Sequence, residues 1–177
     1  GLHPMCDDLV QNDHKRECTE YPIEILFCTK CRTAHQKFQI PKKRLFPSTY
    51  HYRSRFTNDV LNGMKDLVQQ IYNKHGELSN KLVLDIGCND GSLLDFFKSK
   101  GAITLGIEPT DSVYDAQINH TAYKEYLSSK ISKLIVKDKG HPSVITFTNV
   151  FAHIDNLEEV LTCLDILMDH NTILVIE

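Results

Sequence analysis

One acidic side chain stands just before a glycine-marked turn and a second about twenty positions after that turn, a separation that suits a ligand carrying both a charged end and a pair of hydroxyls. The first, Asp85, opens the run Asp85-Ile86-Gly87-Cys88-Asn89-Asp90-Gly91-Ser92. Gly87 and Gly91 permit backbone turns and close approaches that a Cβ would block. Asp85 can accept hydrogen bonds or face a cationic group such as an amino group, and a helix starting at Ser92 would offer free N–H groups to a carboxylate. The second, Glu108 in Gly106-Ile107-Glu108-Pro109, is placed to hold both hydroxyls of a ribose. The glycines do not follow G-x-G-x-x-G, which speaks against a dinucleotide. A generic glycine turn with two solvated carboxylates is the plainer alternative, and the paired spacing argues against it.

These residues need strand ends and helix starts to position them. Short apolar runs alternate with helical segments from Lys81 onward. The pattern predicts strands at Leu82–Ile86, Ile103–Ile107, Val144–Thr148 and Thr172–Ile176, and a weakly marked one around Ala122–Tyr126. Helices are predicted at Ser92–Lys100, Ser129–Lys137 and Leu157–Met168, the last capped near Asp155 or Asn156. Nearly continuous apolar strands alternating with helices mean a parallel sheet covered on both faces, hence an α/β fold. In such sheets ligands bind beyond the carboxyl ends of the strands, where strand order reverses. Asp85 and Glu108 both fall there.

The front of the chain reads differently. Residues 1–56 are rich in Cys, Pro and His with little periodicity, as in a small loop-rich domain whose thin core needs a metal. Tyr21–Phe27 reads as a strand entering a knuckle at Cys28-x-x-Cys31. A structural zinc takes four N or S ligands; Cys28 and Cys31 supply two, and within this chain Cys6, His14, Cys18 or His35 could supply the others. Two buried free thiols are the alternative. Residues 57–76 form a connecting helix, with Asn58 as cap and Gly76 as stop. Residues 77–177 make up the α/β domain. Cys88 and Cys163 are expected in the core, and His75, His120, His141 and His170 at the surface.

Charge and length exclude other classes. Of 177 residues, 41% are hydrophobic and 24% charged, and the net charge of −3 gives no basic field for nucleic acid. No apolar run approaches the roughly 20 residues that span a bilayer, and no signal peptide opens the chain. A reducing, cytoplasmic setting fits the cysteine usage. Lys42-Lys43-Arg44, with Arg53 and Arg55 beyond, is either a pyrophosphate-binding cluster or a solvated basic loop.

Val83-Leu84-Asp85-Ile86-Gly87-Cys88-Asn89-Asp90-Gly91-Ser92-Leu93 followed by Gly106-Ile107-Glu108-Pro109 resembles motifs I and II of class I S-adenosylmethionine (SAM)-dependent methyltransferases. Three further segments narrow the resemblance to the nucleotide-sugar C-methyltransferases with an N-terminal zinc-binding domain. They are Cys28-x-x-Cys31, Phe46-Pro47-Ser48-Thr49-Tyr50-His51-Tyr52, and Thr148-Asn149-Val150-Phe151-Ala152-His153-Ile154. The resemblance implies a Rossmann-like sheet and methylation of a carbon beside the keto group of a nucleoside-diphosphate sugar, through an enolate. It implies a SAM site formed by Asp85, Gly87, Asn89, Asp90, Gly91, Glu108 and Pro109, lined further by Asn149, Val150 and Phe151. His153, as candidate base, and Tyr50 or Tyr52, as donor to the developing oxyanion, would face the sugar.

The family's first Cys-x-x-Cys pair would precede Gly1, and its remaining strands and a Tyr/His/Glu-rich segment would follow Glu177. The natural protein is therefore expected to continue past Glu177, or another chain to cover the edge strand Thr172–Ile176. A SAM enzyme acting at O or N of another small molecule, and a non-catalytic module that kept the fold, are the competing functions.

Overall fold

The computed structural model of the chain describes residues 1–4 and 19–177. Cys6, His14 and Cys18, the alternative metal ligands, lie outside the described residues. Contacts divide the chain into two compact units, Gly1–Leu45 and Phe46–Glu177. The division falls ahead of the Phe46–Tyr52 segment, which joins the larger unit rather than the small front domain drawn to residue 56.

Among the described residues, the small unit has two antiparallel strand pairs and one turn of helix. Strand β1 (Leu2–Pro4) pairs with β2 (Glu20–Pro22), β3 (Ile25–Phe27) pairs with β4 (Ala34–Gln36), and α1 is Lys42–Leu45. The single strand expected over Tyr21–Phe27 is thus two strands in two different sheets. The first pairing continues one residue past Pro22, where Ile23 N–H donates to Gly1 C=O at 2.9 Å. No residue of these four strands is fully buried.

The large unit is a five-stranded parallel sheet of order β7-β6-β5-β8-β9. Its strands are β5 (Leu82–Ile86), β6 (Ile103–Ile107), β7 (Thr121–Tyr123), β8 (Val144–Phe147) and β9 (Ile173–Ile176). Helix α2 (Asn58–His75), capped by Thr57 rather than Asn58, and α3 (Ser92–Ser99) cover one face. Val68 and Ile71 of α2 and Leu93 and Phe97 of α3 bury against Val83 and Val144. Helices α5 (Ser129–Lys139) and α6 (Leu157–Leu167) cover the other, where Ile131, Ile135, Val160, Leu164 and Leu167 meet Leu82, Leu84, Ile86, Ile145 and Phe147. Successive β5 side chains thereby alternate between two cores, as strand geometry demands. Asn156 caps α6 by accepting from Glu159 N–H at 3.1 Å. One helical turn, α4 (Val113–Ala116), was not marked in the sequence because four residues carry no readable period.

The chain runs outward from β5 through β6 to β7, then returns to β8 on the other side. The carboxyl ends of β5 and β8 therefore flank the switch point. Among the described residues no helix is long and apolar enough to cross a membrane.

Candidate active site

Asp85 occupies the penultimate position of β5, level with Gly106 on one neighbouring strand and Thr146 on the other. It is buried, and the Thr146 hydroxyl donates to its Oδ1 at 2.6 Å. Burial pushes the Asp85 carboxyl up to about 7; the Thr146 bond pulls it down, and the nearby Glu108 carboxylate adds to the rise.

The turn after β5 folds back on the end of β6: Gly87 and Cys88 N–H both donate to Ile107 C=O, at 2.8 and 3.2 Å. Gly87 sits at φ +74°, and a Cβ there would lie 2.3 Å from Cγ2 of Val150. The glycine thus lets the loop after β8, with Asn149, Val150 and Phe151, close on the loop after β5. Asn149 also holds a left-handed backbone, at φ 55°. Phe151 and His153 lie on one 3₁₀ turn, and the Phe151 ring meets Phe147 edge-on at 5.8 Å.

Glu108 leaves the end of β6 buried, with three N–H and O–H donors orienting its carboxylate and acceptor capacity to spare. Its Oε2 accepts from Asn89 N–H at 3.0 Å, and its Oε1 from Thr110 N–H and Oγ1–H at 2.9 and 2.7 Å. The Thr110 hydroxyl also meets that of Ser112 at 2.8 Å. Thr110 and Ser112 had not been singled out in the sequence, although hydroxyls shortly after an acidic strand end are the signal for such a rest. Pro109 follows, half-buried.

Two expected ligand-facing groups are spent elsewhere. Asp90 Oδ1 accepts from Ser92 N–H and Oγ–H at 3.2 and 2.6 Å, so the start of α3 offers no free donor at Ser92. Asp90 Oδ2 takes Arg55 N–H at 3.0 Å. The Asn89 side chain accepts from Ser54 N–H at 3.1 Å and donates to Tyr52 C=O at 3.1 Å; only its backbone faces Glu108. Gly91, at φ +84°, packs on Ala116 and His120.

His120 is a correction: expected at the surface, it is buried beneath Gly91. Its Nδ1 meets Thr104 Oγ1 at 2.8 Å, and its Nε2 lies 3.1 Å from Asp95 Oδ1 but out of line for a hydrogen bond. Burial lowers its pKa, Asp95 counteracting and Lys98 adding to the fall. Cys88 and Cys163 are buried as expected.

Tyr50 and His153 meet Phe46, and Tyr52 joins this cluster through Tyr50. The Phe46 ring lies 5.5 Å from those of Tyr50 and His153, and Tyr50 lies 6.5 Å from Tyr52. His153 and Tyr52 are exposed and Tyr50 half-buried. Arg53 is not available to a pyrophosphate, because its Nε pairs with Asp115 Oδ2 at 2.7 Å and its Nη1 donates to the carbonyls of Tyr50 and Tyr52. Arg55 is 3.2 Å from the same carboxylate oxygen. The Arg53 bond is the chief reason that Asp115 titrates below its usual range.

In the small unit, Cys28 directly follows β3 and Cys31 stands in the turn to β4, where its thiol lies 3.4 Å from Thr33 Oγ1. The turn closes through Arg32 N–H to Cys28 C=O at 2.7 Å, with Arg32 at φ 58°. His35 points its Nδ1 at Gln36 C=O, 3.1 Å away. Among the described residues no group of three or more His, Cys, Asp or Glu side chains could hold a metal.

A parallel sheet of this order, with a glycine turn after its first strand and a carboxylate after its second, defines a Rossmann-like α/β fold of the methyltransferase type. Residues 55–177 match the Methyltransferase domain family, and the chain belongs to it. It is 22% identical over its whole length to the C-methyltransferase NovU of Streptomyces niveus, of which it covers 43%. It is 28% identical over 102 residues, 55% of its length, to the ubiquinone biosynthesis O-methyltransferase of Coxiella burnetii, of which those residues cover 41%. The chain thus spans less than half of each relative. The plantazolicin methyltransferase BpumL, solved with a monoazolic desmethylPZN analog and SAH, superposes with a TM-score of 0.50 at 18% identity, over 76% of this chain and 52% of that one.

Proposed function

We propose that this chain is the cofactor-binding part of a SAM-dependent methyltransferase that methylates a carbon beside the keto group of a nucleotide-linked sugar. The observation that carries the cofactor reading is the Asp85–Gly87–Glu108 arrangement at the switch point. Asp85 is a buried carboxyl suited to a cationic ligand end, Gly87 is a turn with no space for a Cβ, and Glu108 is pre-oriented by Asn89 and Thr110. Glu108 holds the ribose hydroxyls, Asp85 the methionine end, and Pro109, Gly91, Asn149, Val150 and Phe151 line the remainder; Asn89 and Asp90 act through backbone and loop shape. When bound, SAM supplies an electrophilic methyl group. The C-methyltransferase relative, matched along the entire chain, supports carbon as the acceptor, and the resemblance carried by residues 46–52 and 148–154 supports a nucleotide-linked keto-sugar.

His153 takes the proton from the sugar carbon, and Tyr50 or Tyr52 donates to the oxygen on which charge develops. Both tyrosines and His153 share the Phe46 cluster, which gives the three groups a common support. The O-methyltransferase relative favours a second reading, transfer to oxygen, which needs no base acting at carbon.

Calorimetry with S-adenosylhomocysteine tests the cofactor site. Glu108→Ala removes a charge-assisted pair of hydrogen bonds, so affinity is expected to fall about tenfold to hundredfold. An unchanged dissociation constant takes Glu108 out of the site. For the acceptor, full-length protein is offered a panel of nucleoside-diphosphate keto-sugars in deuterium oxide. Exchange at the carbon beside the ketone together with methyl transfer supports the enolate route, and transfer to a hydroxyl without exchange supports the second reading.

A further inference from the structure

We propose that residues 46–56 form a strap, fixed to the carboxyl edge of the sheet by a two-point clamp of Asn89 and the Arg53–Asp115 pair, which positions Tyr50 and Tyr52 beside the cofactor loop. The proposal rests on the reading of that loop as a cofactor site. The strap touches the segment after each of four strands, through hydrogen bonds at three of them and a ring contact at the fourth. After β5, Asn89 holds Tyr52 C=O and Ser54 N–H, and Asp90 holds Arg55 N–H. After β6, Asp111 N–H donates to Ser48 C=O at 2.8 Å, and Asp115 holds Arg53. After β7, the Tyr126 hydroxyl donates to Phe46 C=O at 3.1 Å, and after β8 the His153 ring meets Phe46.

Arg53 is the keystone of this arrangement. One guanidinium joins the Asp115 carboxylate to the carbonyls of both tyrosines, so the fork fixes the backbone of the Tyr50–Tyr52 tripeptide in relation to α4. Its side chain is only 16% exposed, which shields the pair from solvent. Asn89 joins the two halves of the site. Its N–H rests on Glu108 while its side chain holds the strap, so a ligand that orders Glu108 also orders residues 52–54. Asn89 holds a left-handed backbone at φ 49°, a conformation that Asn adopts more readily than most residues. Arg53 and Asp115 are therefore positioning residues, acting through the tyrosines they place.

Amide hydrogen exchange on the full chain tests the clamp, first without ligand and then with S-adenosylhomocysteine. Without ligand, peptides covering 48–56 should exchange about tenfold faster in Asp115→Ala than in the unsubstituted protein, while peptides from β5, α3 and α6 stay unchanged. Arg53→Lys, which keeps the charge but loses the fork, should fall between the two and serves if Asp115→Ala fails to fold. With S-adenosylhomocysteine, the unsubstituted protein should gain protection at 52–56, and Asp115→Ala should bind within about threefold while gaining far less. Unchanged exchange at 48–56 in both variants overturns the clamp, as does loosening of β5 and α3 in parallel with the strap, which would make the pair a general scaffold contact. If the ligand binds neither protein, the cofactor reading fails, and the ligand-free comparison still decides the clamp.

Discussion

Asp85 is flanked in the sheet by a glycine and a threonine, and that pairing sets its behaviour. Gly106 presents no side chain, and Thr146 gives one hydroxyl to a carboxyl that has been taken out of water. With a folded-state pKa of about 7 against 3.8 in the open chain, the folded protein binds more protons between those values. Stability contributed by this group is therefore present at low pH and is lost as pH rises toward 7. Asp85→Asn keeps the acceptor for Thr146 and removes the titration. Relative to the unsubstituted protein, the variant should gain roughly 2–3 kcal/mol in urea unfolding between pH 5 and pH 8. A difference that stays flat with pH would mean that Asp85 ionises normally in the fold. The sequence made Asp85 and Glu108 legible because strand ends and turns are local. It could not reveal that the Asn89 and Asp90 side chains turn toward residues 52–55, since those contacts cross more than thirty positions of chain.

At the scale of elements, four of the five predicted sheet strands have boundaries within one residue of those expected, because apolar runs between polar turns are fixed by burial on two faces; the weakly marked one around Ala122–Tyr126 is the shorter Thr121–Tyr123. Two kinds of feature were not legible. The break within Tyr21–Phe27 depends on which partner each half finds, and α4 is too short to carry a period. A close approach between β6 and the cofactor loop was likewise hidden, and it is testable. A Cβ on Gly106 would fall 2.4 Å from Cys88 Sγ and 3.3 Å from Leu94 Cδ1. Both neighbours are buried, so neither can swing into solvent. Gly106→Ala should destabilise by about 1–3 kcal/mol, the usual cost of overpacking. Removing the sulfur relieves the closest of these contacts and leaves Cys88 Cβ at 3.0 Å, so in urea unfolding Gly106→Ala with Cys88→Ala is expected to be about 0.5–1 kcal/mol more stable than the sum of the single effects. Additive losses would mean that the strain comes from the backbone of β6 and not from the thiol.

At the scale of the whole molecule, the two units differ in what can stabilise them. The larger buries three clusters around a covered sheet. The smaller has two short strand pairs whose side chains are largely exposed, Leu2, Ile25 and Phe27 among them. Strand pairs with so little buried apolar surface among the described residues call for another source of stability, and a metal is the usual one. Cys28 and Cys31, brought together by the turn between β3 and β4, are the thiols that would begin such a site, in keeping with the zinc-binding domain that the sequence resembles. Thiolate ligation would join metal binding and folding of this unit in one equilibrium. Protein purified without chelator is then expected to carry about one zinc per chain, as for a single four-ligand structural site, and Cys28→Ser to lose it. Chelation should expose residues 19–45 to proteolysis and leave the methyltransferase domain intact, because its cores contain no residue of the smaller unit. Metal-free protein with both thiols titrating freely, and with 19–45 no more sensitive after chelator than before, would show that the small unit is held by something other than zinc.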